Sequence, residues 1–230
     1  MGQAIITRRG GGGSPQKKQA YVHSQNANIG TGTSMTVSLL SCDDGDLMLA
    51  YFMCRSANTL PTGWTQIFVY SFTTGSDTQY IAAAYKIKSS IDSANFTVTQ
   101  SAGTRIGAQI FCVKNAGMPY DLGISTLTSV SESGYVLPNT QTDDAVIWGL
   151  HSYTLATEAT EYVLVEPSVI PAYHCLSRAD PVGDGKNRLV TLFDNLGSDV
   201  SKKIYRPNNP YNVVQDRSIQ IVAVGIPYSA

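Results

Sequence analysis

Asp46-Leu47-Met48-Leu49-Ala50-Tyr51-Phe52-Met53-Cys54 is the stretch that decides the fold. An acidic turn, Asp43-Asp44-Gly45, feeds it, and it reads as an extended strand whose side chains alternate between two faces. One face carries Leu47, Leu49, Tyr51 and Met53; the other carries Met48, Ala50, Phe52 and Cys54. A strand with one solvated face alternates apolar with polar. This one is apolar on both faces and needs cover on both.

Working outward, further strands are predicted at Ser34–Leu40, Trp64–Phe72, Gln79–Lys86, Asn95–Thr99, Ile106–Val113, Ile124–Val130, Asp144–Tyr153, Leu189–Phe193 and Arg217–Ile226. Each is rich in Val, Ile, Tyr, Phe or Thr and is bounded by Gly, Pro, Asn, Asp or Ser. No window carries a 3.6-residue apolar period, and Ser89–Ala94 offers one helical turn at most. Strands without intervening helices predict an all-β, antiparallel β-sandwich, jelly-roll-like, over residues 21–230. Asp143-Asp144 ahead of Ala145–Tyr153 echoes the acidic turn and apolar strand of Asp43–Cys54. Two related halves of a jelly roll would give that echo, and so would chance likeness between buried strands. Ala145–Leu150 and Val222–Ile226 are also apolar on both faces. Cover for the outer faces of these strands, Asp46–Cys54 included, is expected from long loops such as 161–187 or, preferred, from a neighbouring subunit, hence a homo-oligomer.

Residues 1–20 read as a flexible arm, because Gly10-Gly11-Gly12-Gly13-Ser14-Pro15 supports no regular element. The run has the composition of an engineered linker, but the residues before it form no recognisable tag, which favours a native arm. Ile5 and Ile6, with Arg8 and Arg9 after them, could dock on another chain as a short strand; simple disorder fits them as well.

Charge bounds the partners. Sixteen basic and 17 acidic residues leave a net charge of −1, and the basic pairs Arg8–Arg9, Lys17–Lys18 and Lys202–Lys203 are short. Nucleic acid binding needs a concentrated basic face, so it is not expected. No apolar run is long enough for a membrane-spanning helix. The N-terminus also has the wrong order of charge and apolar residues for a secretory signal. The charged fraction of 14% is low, and hydroxyl-bearing residues, amides and 13 tyrosines fill the gap.

Chemistry-bearing residues form no recognised constellation. His23, His151 and His174 share no spacing for metal binding, and no nucleophile elbow, phosphate loop or dinucleotide fingerprint occurs. Neither catalytic residues, nor a metal site, nor a cofactor are expected. Cys42, Cys54, Cys112 and Cys175 lack C-x-x-C spacing and are expected to be free thiols. Asp43, Asp44, Asp46, Asp143 and Asp144 sit at strand entrances, and Glu158, Glu161 and Glu166 in a loop, where carboxylates are usually solvated. A glycosidase-type pair would instead project from a central strand. Asp180–Asn187 lacks the ligand alternation of a calcium loop and reads as an Asp-Gly turn. Trp64 and Trp148 read as core residues. Tyr205, Tyr211 and Tyr228 sit beside Pro, Asn or Ser and look exposed, which suits stacking on a sugar and suits a protein interface equally.

Two parts of the chain have a familiar form. Ala4-Ile5-Ile6-Thr7-Arg8-Arg9-Gly10-Gly11 resembles the N-terminal peptide of structural proteins of phages and prophages of Gram-positive gut bacteria. Gly45–Ala50, then Pro61-Thr62-Gly63-Trp64-Thr65, Ala84-Tyr85-Lys86 and Ile110–Gly117 resemble, in that order, a β-sandwich domain recurrent in phage tail-associated proteins. The resemblance covers about half the chain, mostly residues 43–117. It implies a non-enzymatic virion component of tail-fibre, baseplate or head-fibre type, often trimeric, acting in assembly and host-surface adhesion. Other virion proteins and a host cell-surface polysaccharide would be its partners. It would be assembled in the host cytoplasm and reach the virion without a signal peptide. The long fibrous repeats of tail fibres are missing, which suggests a short accessory or adaptor protein. The alternatives are a carbohydrate-binding module and, after it, a polysaccharide-cleaving glycosidase or lyase.

Overall fold

The structure, a computed structural model, describes residues 20–39, 41–74, 77–127, 133–136, 145–154, 164–166, 186–195, 201–205 and 216–229. Ile5, Ile6, Arg8, Arg9, His174, Cys175 and Tyr211 lie outside the described residues. The described elements are all strands: β1 (Tyr21–Ser38), β2 (Leu47–Cys54), β3 (Asn58–Thr59), β4 (Thr65–Thr74), β5 (Asp77–Ile87), β6 (Asn95–Lys114) and β7 (Tyr120–Leu127). They continue with β8 (Ser133–Val136), β9 (Ala145–Thr154), β10 (Leu164–Glu166), β11 (Lys186–Asn195), β12 (Ser201–Tyr205) and β13 (Asp216–Ile226). Pairing is antiparallel throughout these ladders.

The larger sheet runs β1-β6-β2-β5-β4, with β3 added on β6; a second runs β11-β9-β13-β7, and a small third β10-β12-β8. All of β2 is buried, as its doubly apolar pattern requires. Its first face, Leu47, Leu49, Tyr51 and Met53, packs with Phe68, Ile81 and Phe111 against Ala145, Ile147, Val222, Val224 and Ile226 of the second sheet. Two apolar sheet faces buried against each other make the β-sandwich expected from the sequence. Tyr51 locks the layers. Its ring meets Phe68 and Phe111 edge-on, and its hydroxyl donates to the Ile147 carbonyl of β9. Gly149 makes room for that ring, since a Cβ there would lie 2.8 Å from Tyr51 Cε1. The echoing strands β2 and β9 thus face each other across the sandwich, and their likeness reflects a shared burial. These pairings do not draw the jelly-roll path.

The second face of β2 is covered by the chain itself, by a route not visible in the sequence. β1 and β6 have 18 and 20 residues. Straight strands of that length would run about 60 Å. Instead the two-stranded ribbon turns a corner. Gly32 pairs with Thr104 but Ser34 pairs with Thr99, so Thr33 alone stands opposite Gln100-Ser101-Ala102-Gly103. An irregularity of this kind bends and twists a strand pair, and Gly32, at φ 142°, supplies a backbone angle that other residues rarely adopt. Gln100 braces the corner: its Nε2 donates to the Gly32 carbonyl at 2.6 Å, and its Oε1 accepts from Arg55 N–H at 3.0 Å.

Beyond the corner, Met35, Val37, Phe96 and Val98, with Leu39, close over Met48, Ala50, Phe52 and Cys54. Phe96 is wedged between Phe52, with centroids 5.3 Å apart, and Trp64, at 4.8 Å. The folded ribbon is stitched to itself along one side of β1, where alternate residues share a face. Ser24 donates to Ser41 O, Asn26 to Ser38 O at 2.8 Å, and Asn28 to Thr36 O at 3.4 Å. The expected cover from the 161–187 loop or a neighbouring subunit is therefore corrected for this face: the second half of β1 and the first half of β6 provide it. The homo-oligomer loses the ground that β2 gave it, while the doubly apolar stretches Ala145–Leu150 and Val222–Ile226 and the resemblance remain as its basis.

Candidate thiol–carboxylate site

One end of the larger sheet gathers the chemistry-bearing side chains, and the acidic turn before β2 organises it. Asp46 N–H donates to Asp43 O at 3.1 Å, and Gly45 takes φ 88°, which closes the turn. The turn is then pinned to the end of β5, where Gly45 N–H donates to Lys88 O at 2.8 Å and Lys88 N–H to Asp46 O at 2.9 Å. Within the turn, Asp43 N–H donates to Asp46 Oδ2 at 3.0 Å. This fixes the Asp46 carboxylate over the end of β6. There it accepts from the Cys112 thiol at 3.4 Å and lies 3.4 Å from the Lys114 ammonium.

Three donor atoms converge: Cys42 Sγ, Cys112 Sγ and a carboxylate oxygen of Asp46 lie within 4.8 Å of one another. Cys112 is buried, while Cys42 and Asp46 are half-buried and reach toward solvent. Around them stand Lys114, paired with Asp43, and Lys88, 3.2 Å from Asp44. His23 borders the group. It is the extra residue of a bulge, since Val22 pairs with Val113 and Ser24 with Cys112, and its Nε2 lies 3.3 Å from Ser41 Oγ. Bulges often re-aim a side chain in this way.

The two thiols are not equivalent. A hydrogen bond from Cys112 holds the Cys42 thiol below its ordinary value against burial and nearby Asp46, with Lys88 assisting. The same contact and burial push the Cys112 thiol up, and Asp46 adds to this. Cys42 is therefore the first to ionise, the single S–H of Cys112 then turning from Asp46 to the Cys42 thiolate. Cys54, buried and away from this cluster, is pushed up to about 12 by desolvation and is inert. Asp43 is held below the usual carboxylate range by its hydrogen bond to Lys114. Asp43 and Asp46 share that lysine, so they form an ion-pair network rather than the opposed pair a glycosidase presents.

Of the tyrosines singled out in the sequence, Tyr211 lies outside the described residues. Tyr228 is half-buried, not exposed: it bridges to Ala116 beside the contacts Gly117 N–H to Pro227 O at 2.7 Å and Ser229 N–H to Asn115 O at 3.0 Å. Tyr205 lies on β12, opposite Leu164. His151 lies on β9 opposite Leu189 and Gln220, and Glu166 on β10 opposite Lys203. Asp143, Asp144, Glu158, Glu161 and most of the Asp180–Asn187 turn lie outside the described residues. What sequence reading missed is the meeting of Cys42 with Cys112. They are far apart in the chain, and only the register that sets Cys112 beside Met48 and Ser24 puts them in reach. Compared with protein-family models, curated proteins and solved structures, the chain gave no match in any of the three.

Proposed function

We propose that the chain is a non-enzymatic structural protein of a phage virion, of tail-fibre, baseplate or head-fibre type, acting in assembly and host-surface adhesion. The observation that carries this reading is that the separate stretches bearing the resemblance pack as one unit. The Gly45 turn leads into β2, and Ala84-Tyr85-Lys86 of β5 pairs with Ala50-Leu49-Met48. Ile110–Val113 pairs on the other side of β2. Pro61-Thr62-Gly63-Trp64 forms a turn, with Trp64 N–H donating to Pro61 O at 3.2 Å, and delivers the indole against Phe96. Gly63 has φ 84°, and a Cβ there would stand 2.9 Å from Lys86 Nζ, so the glycine and the lysine of the motif fit each other. Residues far apart in sequence and resembling one domain in order therefore have a common structural reason.

In this reading the arm carrying Ile5, Ile6, Arg8 and Arg9 docks on other virion proteins, and the sandwich faces the host polysaccharide. A homo-oligomer, with a trimer as the form the resemblance suggests, would present several copies. Deleting residues 1–19 tests the assignment of the arm and spares Ala20, which is buried in the core. The truncated body should keep its thermal unfolding profile and lose incorporation into particles in a complementation assay. Undiminished incorporation would refute the docking role.

A further inference from the structure

We propose that Cys42, Cys112 and Asp46 form a binding site for a thiophilic divalent cation, zinc in the first place. Thiolate and carboxylate donors in a three-residue set suit zinc, which takes four ligands in a tetrahedron. Zn–S and Zn–O distances of about 2.3 and 2.0 Å put the sulfur and oxygen corners of that tetrahedron about 3.5 Å apart. Cys112 Sγ and Asp46 Oδ2 are 3.4 Å apart, and Cys42 Sγ completes a triangle with no edge above 4.8 Å. Three protein ligands fill three corners, and the half-buried flank of Cys42 and Asp46 leaves the fourth to water.

The surroundings also fit. The donors are held in place before any ion arrives: Cys112 by the β2–β6 ladder, Asp46 by the turn pinned to Lys88, and Cys42 by packing against the core of the second face. Binding would displace two thiol protons to solvent and leave a cluster of two thiolates, one carboxylate and one dication, net −1. The Lys114 ammonium, 3.4 Å from the Asp46 carboxylate, offsets that charge. The site joins the segment before β2 to the end of β6, so an ion would staple the acidic turn to the main sheet. It does not depend on the virion reading.

Cobalt(II) added to the reduced full-length chain is the direct probe, because thiolate ligation gives a sulfur-to-metal charge-transfer band and tetrahedral geometry gives strong visible bands. One cobalt per chain with both features is expected, displaced by zinc, and lost in Cys42→Ser, with Asp46→Asn lowering the bound fraction at least tenfold. An unchanged cobalt spectrum in Cys42→Ser, or no binding by the wild type, would overturn the site. Wild-type protein supplies a readout free of folding effects: alkylation of Cys42, mapped by mass spectrometry, should slow at least tenfold in zinc relative to chelator. Equal rates would overturn the proposal. So would a chain purified without reductant that is metal-free and whose peptide map joins Cys42 to Cys112, which would make the pair a disulfide instead.

Discussion

Replacing Phe96 with alanine removes the side chain that plugs the folded ribbon onto β2. Phe96 is fully buried, and its ring contacts Phe52 and Trp64. Truncating a buried phenylalanine costs about 3–5 kcal/mol, from lost transfer free energy and the cavity left behind. The part specific to the aromatic contacts is smaller, about 0.5–1.5 kcal/mol per pair. A domain is stable by only about 5–15 kcal/mol, so Phe96→Ala sits near the limit and Phe96→Leu, at under about 1.5 kcal/mol, is the companion variant. Urea unfolding monitored by tryptophan fluorescence gives both values, because the Trp64 indole lies on Phe96. A double-mutant cycle with Phe52→Leu should return a coupling of about 0.5–1.5 kcal/mol. The cost of Phe96→Ala should not depend on protein concentration, since the cover of this face is intramolecular. A cost below about 0.5 kcal/mol for Phe96→Ala, the range of an exposed position, would refute the folded ribbon. So would a midpoint that rises with concentration in the wild type and not in Phe96→Ala.

Gln100→Ala should cost about 1–3 kcal/mol in the same urea titration, because it leaves the Gly32 carbonyl and Arg55 N–H without their side-chain partner; a neutral outcome would mean the corner does not rely on that amide. Gly149→Ala places a methyl 2.8 Å from the Tyr51 ring and 2.9 Å from Val222 Cγ2, an overpacking expected to cost about 1–3 kcal/mol by thermal or chemical unfolding. Asp92, bound to Lys86 at 2.6 Å and to the Ser89 hydroxyl at 2.6 Å, has its folded-state pKa depressed to about 2, first by the Lys86 hydrogen bond. Its unfolded value is about 3.9. Its contribution is therefore fully present above about pH 4 and fades as pH falls toward about 2. The stability gap between wild type and Asp92→Asn, measured across that range, should narrow at the acid end, and a gap independent of pH would contradict the assignment.

The strand at Asp46–Cys54 was legible because burial on both faces leaves an unbroken apolar run. β5 beside it and β9 and β13 in the second sheet were legible for similar reasons, and the edge strand β4 through its aromatic and β-branched residues. The first half of β1 was not, and its chemistry explains why. Ser24, Asn26 and Asn28 look like loop residues, yet they spend their polarity on the carbonyls of the ribbon folded beside them. Ser101-Ala102-Gly103 reads as a break between two strands, and the structure makes it the corner of one. Nothing local marks residues 34–38 and 95–99 as a lid over the second face of β2; only the corner places them there. Tyr228 looked exposed beside Pro227 and Ser229, and becomes half-buried through a bridge to a residue distant in the chain. The thiol–carboxylate cluster was likewise out of reach. The acidic turn was visible, but not the register that brings Cys112 beneath it.

Particles purified by density gradient from a lysate of the source strain, analysed by quantitative mass spectrometry, test the virion assignment most directly. The assignment predicts that this chain co-purifies with the particle peak at a fixed copy number relative to other virion proteins, with peptides from the arm present. A chain confined to the soluble fraction of the lysate, absent from intact infectious particles, would contradict it.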